Sequence, residues 1–381
     1  MITENSKQLN IQFNDLNAQW KCIKEGAIER IDQLFEKSYF IGGKDIALFE
    51  SNFSKWNNNQ FATGCSNGTD AIKLALQAME LKGNVGLFIP ANTYIATILA
   101  SENAYPDAKM HLIDCDQHFQ IDTNILEEAL NSEREKYDVV VILPVHLYGH
   151  TVNIKEIQRL AEKYDCIIME DSSQAHGALG EDNIKAGSFG KAAAFSLYPG
   201  KNLGAAGDAG VITTNDEDLN NKIRALRNLG SEKKYFHDVK GYNNRMDTFQ
   251  AIIVDEKLKH IDKWNDNRNV VVDRYNQNII NDNLMLPVKA DYCNFHVYHI
   301  YCVRVINGKR EQFQSYLKES GITTVIHYPI PIESTGAYSY LNIFNENTRK
   351  WADEIISLPI HPFMKEEEVD FICHSINNWE S

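Results

Sequence analysis

Short apolar runs alternate along this chain with amphipathic stretches, and that rhythm constrains the fold more than any other feature. Residues 86–90 (Gly-Leu-Phe-Ile-Pro), 109–113 (Lys-Met-His-Leu-Ile), 138–143 (Asp-Val-Val-Val-Ile-Leu) and 166–169 (Cys-Ile-Ile-Met) are mostly continuous in their apolar character. Strands buried on both faces read this way, because neither side of the sheet meets water. Between them, 69–81, 123–130 and 153–164 carry apolar residues at helical spacing, and Asp122 is placed to cap the second helix. Strands and helices in alternation build an α/β fold around a mostly parallel sheet.

The rhythm changes after residue 187. Two apolar runs, 192–197 and 209–214, are joined by a Gly-rich loop with no helix between them, so they are expected to pair antiparallel. A long helix is expected over 247–279, with apolar residues at 249, 252, 253 and 258. Beyond it the pattern gives a strand (298–305), a helix (309–320), a strand (323–328) and a last helix (365–379). The expected organisation is a large domain over 1–250 and a smaller C-terminal α+β domain over 251–381, joined through the long helix. A chain of 381 residues is long enough for both cores.

Thirty-eight Lys and Arg against 52 Asp and Glu leave a net charge of −14. That field repels a phosphate backbone, which argues against nucleic-acid binding but leaves room for a local anion site built from aimed amides. The first seven residues, Met-Ile-Thr-Glu-Asn-Ser-Lys, do not have the cationic-then-apolar order of a secretory signal. The most apolar stretch, 85–100, is broken by Pro90 and Asn92 and is too short to span a bilayer. The seven cysteines (22, 65, 115, 166, 293, 302 and 373) are scattered, so neither a zinc site nor a disulfide framework is expected. A cytosolic, reduced protein is the expectation, with no metal and no membrane or nucleic-acid partner.

Four segments carry the chemistry. Cys65-Ser-Asn-Gly-Thr-Asp-Ala-Ile72 follows a short strand and opens a helix, aiming the amides of Gly68 and Thr69 at an anion such as phosphate. A plain helix start capped by Asn67 or Thr69 reads the same way. In Cys166-Ile-Ile-Met-Glu-Asp-Ser-Ser-Gln-Ala-His-Gly177 a buried strand ends on two carboxylates, Glu170 and Asp171, at the edge where open α/β sheets build their sites. A helix cap or a metal ligand fits Asp171 too, but no His or Asp cluster stands near it, which favours an organic cation as partner. In Ala194-Phe-Ser-Leu-Tyr-Pro-Gly-Lys-Asn-Leu-Gly204 a lysine sits in a Gly-rich loop between apolar strands. Held in a partly dry pocket, Lys201 has a lowered pKa and is a candidate Schiff-base nucleophile. An exposed turn lysine and a phosphate-gripping lysine are the rival readings, although the P-loop order is absent. Gly241-Tyr-Asn-Asn-Arg-Met-Asp247 is a polar turn before the long helix.

Together, a phosphate cradle at 67–69, a carboxylate for a ring cation at 171 and an imine-forming lysine at 201 are the parts that pyridoxal 5'-phosphate (PLP) requires. In these residues the chain resembles the DegT/DnrJ/EryC1/StrS sugar aminotransferases. The likeness extends through Tyr39-Phe-Ile-Gly-Gly43, Asn67-Gly-Thr-Asp-Ala71, Pro90-Ala-Asn-Thr-Tyr94, Pro144-Val-His-Leu-Tyr-Gly149, the 170–177, 195–210 and 241–246 segments, and His327-Tyr-Pro329.

The resemblance implies the type I PLP-dependent (aspartate aminotransferase) fold and a homodimer with shared active sites. It implies Lys201 as the imine-forming, proton-moving lysine and Asp171 as partner of the pyridine nitrogen. Gln174 would bond the ring hydroxyl, and Tyr94 would stack on the ring, unless it is simply a core aromatic. Asn67, Gly68, Thr69 and Ser196 would form the phosphate site, with Asn243 lent by the second subunit. Tyr198, His327 and Arg245 are the candidates for holding substrate. The loop around Lys201 resembles the branch that aminates C3 of dTDP-3-keto-6-deoxyhexoses, with glutamate as donor and the pyridoxamine form of the cofactor in the aminated half-cycle. Amination at C4, a keto-cyclitol substrate, or a PLP-binding regulatory protein without catalysis are the alternatives. Two departures from the family pattern stand out: His150 where Gln is common, and Ser172-Ser173 where alanines are frequent.

Overall fold

In the computed structural model, which describes residues 10–380 apart from Glu232, Lys234 and Asn307, the expected strands form one seven-stranded sheet. The first seven residues, where a signal was sought, lie outside the described part. Its strands are β1 (Phe61–Cys65), β2 (Val85–Pro90), β3 (Lys109–Ile113), β4 (Val139–Ile142), β5 (Ile167–Asp171), β7 (Ala192–Ser196) and β8 (Gly210–Thr214). A separate antiparallel pair joins β6 (Leu179–Gly180) to β10 (Cys293–Phe295). The order is β1-β8-β7-β5-β4-β2-β3, with β3, β2, β4, β5 and β7 parallel to one another. Only β8 runs the other way, antiparallel to both β7 and β1, as the helix-free Gly-rich connection required.

Small residues let both faces of β7 be covered. Ala192 and Ala194 pack with Ala71, Ile72 and Ala75 of α3 (Gly68–Ala78). Ala193 and Phe195 point oppositely, toward Phe49 and Phe53 of α2 (Lys44–Trp56), a helix preceded by α1 (Leu16–Lys37). The crossovers through α5 and α6 start where capping side chains stand. Asp122 accepts from the Asn124 and Ile125 amides at the start of α5 (Thr123–Glu133), and Asn153 from the Glu156 amide at the start of α6 (Ile154–Lys163). Between β2 and β3 lies α4 (Ile95–Ala104), and α7 (Glu217–Arg227) follows β8.

The single long helix expected over 247–279 is two helices, α8 (Thr248–Leu258) and α9 (Ile261–Asn278), divided at Lys259 and His260. No Gly or Pro announces the break. It re-aims the apolar face, because Ala251, Val254, Leu258 and Ile261 pack with Phe49 and Phe53, whereas Val271, Val272 and Tyr275 pack into a second core. That second core surrounds an antiparallel sheet of β9 (Leu284–Met285), β11 (Tyr301–Val305) and β12 (Ile355–Leu358). Also against it pack α10 (Arg310–Glu319) and α12 (Glu366–Asn377), while α11 (Glu346–Glu354) joins the first core through Trp351.

Two further expectations are corrected. The strand begins at 301 rather than 298, because the amides of Val297 and Ile300 donate instead to the carbonyls of Gly149 and Tyr148. Residues 323–328 do not form a strand: their pairing is confined to the Val325–Ser357 bridge, and the alternate side chains line a cavity. Among the described residues no helix is long and apolar enough to cross a membrane.

Phe195 is fully buried and meets Phe53 edge-on at 5.2 Å. Phe195→Ala is expected to cost about 3–5 kcal/mol, read as a lower denaturant midpoint with unchanged far-ultraviolet dichroism. A shift below 1 kcal/mol would show that the neighbourhood of β7 collapses into the space.

Candidate active site

The C-terminal ends of β5 and β7 and the N-terminus of α3 meet around a cavity of about 890 Å³. Asn67, Gly68 and Thr69 line one end, Asp171, Gln174 and Tyr94 the middle, and Ser196, Tyr198, Lys201 and His327 the rest. Ten of the sequence-derived site residues therefore come together from segments spread over the whole chain.

The two carboxylates that end β5 part company. Successive strand side chains point to opposite faces, so Glu170 turns inward while Asp171 turns to the cavity. Glu170 accepts from His146 Nε2 (3.0 Å) and the amides of Gly187 (2.5 Å), Phe189 (3.0 Å) and Gly190 (2.7 Å). Asp171 accepts from Thr97 Oγ1 at 2.8 Å and from the Ser173 amide at 3.1 Å. These donors hold the carboxylate in place on the cavity wall, where a cation can meet it.

Lys201 is half-buried on a tight loop, its amide donating to the Tyr198 carbonyl and the Ala205 amide to the Leu197 carbonyl, both at 2.8 Å. A side chain at Gly204 would put Cβ 2.3 Å from the Pro199 carbonyl oxygen, so the loop closes only around glycine. Burial pushes the Lys201 ammonium down to about 8, against the opposing pull of Asp171. From below, Lys257 holds the loop by donating to the Gly204 carbonyl (2.6 Å) and to Gln19 Oε1 (3.0 Å). It too is pushed down to about 8 by burial.

At the other end, Gly68 and Ser196 are pressed together: a Cβ on Gly68 would lie 2.6 Å from the Ser196 Cβ. Asn67 caps α3 by accepting from the Asp70 amide (2.8 Å), leaving the first amides of the helix pointing outward beside the Ser196 hydroxyl. This is an anion cradle assembled from a helix dipole, backbone N–H groups and hydroxyls.

Gln174 is fixed from both sides, its Oε1 accepting from the Tyr148 amide (2.7 Å) and its Nε2 donating to the Tyr328 hydroxyl (3.1 Å). The Tyr328 ring stands 5.3 Å from that of Tyr94. His327 is bonded through Nδ1 to Ser357 Oγ (2.9 Å); burial and the charge of Lys201 push it down to about 4, so it is neutral at pH 7. Asn243 and Arg245 do not reach this cavity in their own chain. Asn243 is exposed and bridges backbone to backbone with Asn228, while the Arg245 guanidinium donates to Asn228 Oδ1 at 3.2 Å.

Sequence reasoning passed over Thr97, Tyr328, His299, Phe13 and Asn14, which also line the cavity. Thr97 left a signal, a lone hydroxyl inside the apolar stretch Ile95-Ala-Thr-Ile-Leu-Ala100. Asn14 left none, since nothing local links it to residues nearly two hundred positions away.

The family model described as "DegT/DnrJ/EryC1/StrS aminotransferase family" matches residues 21–377. A dTDP-3-amino-3,6-dideoxy-alpha-D-galactopyranose transaminase of Aneurinibacillus thermoaerophilus is 38% identical, over 97% of this chain and 99% of that one. A protein of Geobacillus stearothermophilus named "Pleiotropic regulatory protein" is 35% identical, over 97% and 98%. The crystal structure of Streptomyces venezuelae DesV in complex with a ketimine intermediate superposes with a TM-score of 0.90 at 31% identity, covering 97% of this chain and 98% of that one.

The lowered Lys201 value has a sign that can be measured. Between about 8 and the unfolded value near 10.4, the unfolded chain binds more protons than the folded one, so stability rises with pH across that window. Below pH 8 the folded state carries the whole cost of the buried ammonium. Lys201→Met should therefore make the cofactor-free protein more stable at pH 7, by roughly 1–3 kcal/mol in urea unfolding, with the gain vanishing above pH 10. A less stable variant at pH 7 would contradict the burial argument.

Proposed function

Since the chain belongs to the DegT/DnrJ/EryC1/StrS aminotransferases, a PLP-dependent family, it is a transaminase, and we propose that it carries an amino group from glutamate to C3 of a dTDP-linked 3-keto-6-deoxyhexose. The observation that carries this reading is the convergence of Lys201, Asp171 and the α3 N-terminus on one cavity. The choice of C3 and of dTDP follows the name of the Aneurinibacillus relative.

The residues present fit PLP. With no Cβ at 68, the Ser196 hydroxyl closes on the first amides of α3, and Gly68, Thr69 and Ser196 would hold the phosphate while Asn67 keeps the turn. Asp171 would pair with the pyridine nitrogen, Gln174 with the ring hydroxyl, and Tyr94 with the ring face. When bound, the cofactor supplies the electron sink for a carbanion at the carbon that bears nitrogen. Asp171 would pair with the protonated ring nitrogen, and Thr97 with Ser173 holds its carboxylate in place. Lys201, deprotonated readily because its pKa stands near 8, would take the proton from Cα of glutamate in the first half-reaction and deliver one to the sugar carbon that gains nitrogen in the second. Tyr198 and His327, both on the cavity wall, would touch the sugar.

We further propose a cytosolic homodimer in which Asn243 and Arg245 serve the neighbouring subunit. Support comes from the exposure of Asn243 away from its own cavity and from the large apolar side chains of Phe35, Tyr39 and Ile41, exposed just before α2. The Geobacillus relative's name favours a second reading, a PLP-binding regulator.

Glutamate separates the two readings. Added in excess to the PLP-loaded protein, it should replace the pyridoxal absorbance with that of the pyridoxamine form, and the keto sugar should restore the first spectrum. A spectrum that does not respond supports the regulator. Lys201→Ala should lose several orders of magnitude in turnover while remaining a folded dimer; one tenth of wild-type activity would remove the assignment.

Mixed dimers of Lys201→Ala and Asn243→Ala chains test the sharing. If Asn243 of the partner subunit completes each site, the mixed dimer has one intact site and one lacking both groups, and it should keep half of the wild-type activity at limiting cofactor. Weak, cofactor-dependent activity would mean that Asn243 serves its own chain, because one site then lacks Lys201 and the other the amide, and one hydrogen bond to a charged group is worth about 10- to 150-fold in affinity.

A further inference from the structure

The segment before α1 runs from the second core to the cavity and is fastened at several points. The Ile11 amide donates to the Gly321 carbonyl (2.8 Å), and the Thr323 amide to the Ile11 carbonyl (3.0 Å). The Phe13 ring stands 5.8 Å from that of His327. Asp15 caps α1, accepting from the Ala18 amide at 2.9 Å. Between these anchors Asn14 has little freedom. Its Nδ2 donates, at 3.5 Å, to the carbonyl of Gly200, the residue before Lys201. Its Oδ1 is shielded from solvent and meets no donor from the protein. Exchanging the amide's two ends would set oxygen against the Gly200 carbonyl, so the lone group is the acceptor. A buried acceptor with no partner disfavours the fold, and one on a cavity wall has an evident use.

We propose that Asn14 is a substrate-binding residue, its Oδ1 accepting a hydrogen bond from a sugar hydroxyl next to the carbon that is aminated. The assignment rests on the transaminase reading above and adds a contact that the sequence did not suggest. An acceptor admits only a group that brings a hydrogen, which excludes carboxylates, phosphates and the ketone oxygen itself. Glutamate offers two carboxylates and an ammonium that is consumed at the reacting centre. A 3-keto-6-deoxyhexose carries a hydroxyl on each carbon flanking the ketone, and one of these must lie near Lys201 when the ketone does. The neighbouring Phe13 and His327 supply the apolar and neutral surroundings in which one neutral hydrogen bond discriminates well.

The test pairs Asn14→Ala with substrates lacking one hydroxyl. The sugar half-reaction is followed with dTDP-3-keto-6-deoxyhexose and with its 2-deoxy and 4-deoxy analogues, and binding of the dTDP-3-amino-3,6-dideoxyhexose product is measured by calorimetry. Asn14→Ala should lose roughly 5- to 50-fold in kcat/KM and in product affinity for the complete sugar. Wild type should lose a similar factor on one of the two analogues, and Asn14→Ala should not distinguish that analogue from the complete sugar. The glutamate half-reaction should change by less than about threefold. Equal losses with every sugar and with glutamate would show a structural residue and overturn the proposal. So would a wild type that treats both analogues like the complete sugar, a result that needs no variant to fold. A wild type that reacts with glutamate but binds no dTDP-sugar would remove the substrate reading itself, and this assignment with it.

Discussion

The carboxylate of Glu170 is the point on which the site's geometry hangs. Through three backbone amides it fixes the 187–190 turn that launches β7, and β7 carries Ser196 and the loop of Lys201. Through His146 it fixes the segment after β4, whose Tyr148 amide sets Gln174 and whose Tyr148 hydroxyl reaches the His327 carbonyl. A buried carboxylate needs this many donors, and satisfying it forces β5, the 187–190 turn and the His146 segment into one arrangement. Asp171, one residue on, inherits a position that is already rigid.

Polar groups of opposite economy surround it. Lys201 and Lys257 are ammonium groups without a carboxylate in hydrogen-bond contact, both depressed by burial, and the Arg268 guanidinium is pushed down to about 9 while donating only to the carbonyls of Tyr298 and Ile360. Cations held by neutral acceptors cost stability. Two of the three brace the site from outside: Lys257 beneath the loop of Lys201, and Arg268 tying α9 to the segments on either side of β11 and β12. The fold gives up stability to keep an amine deprotonable near neutral pH.

What could be read from the sequence was whatever is local. The buried strands, the caps at Asn67 and Asp122, and the antiparallel pair around Lys201 follow from period, capping chemistry and loop composition. The division of 247–279 at Lys259 and His260 could not be read, because both helices have sound helical composition and the turn is imposed by two cores facing different ways. Residues 323–328 resemble a strand because their side chains alternate, but what they alternate against is a cavity. The site showed the same limit. Lys201, Asp171 and Gly68 stood out within their own segments, whereas Tyr148 and Asn14 act through contacts with residues far along the chain and carry no local mark.

That long reach has a consequence for how the protein comes into being. The walls of the cavity are drawn from residue 13 to residue 328, and the segment bearing Asn14 is fastened to residues 321 and 323. A chain emerging from the ribosome can close the seven-stranded sheet once β8 is out, with most of the anion cradle and the lysine loop already in place. The pocket itself stays open on one side until more than a hundred further residues have been made. Loop closure over such a span is slow compared with packing within the sheet. An early cofactor encounter would thus meet a half-built, water-filled site, and durable capture becomes one of the last events in the protein's synthesis.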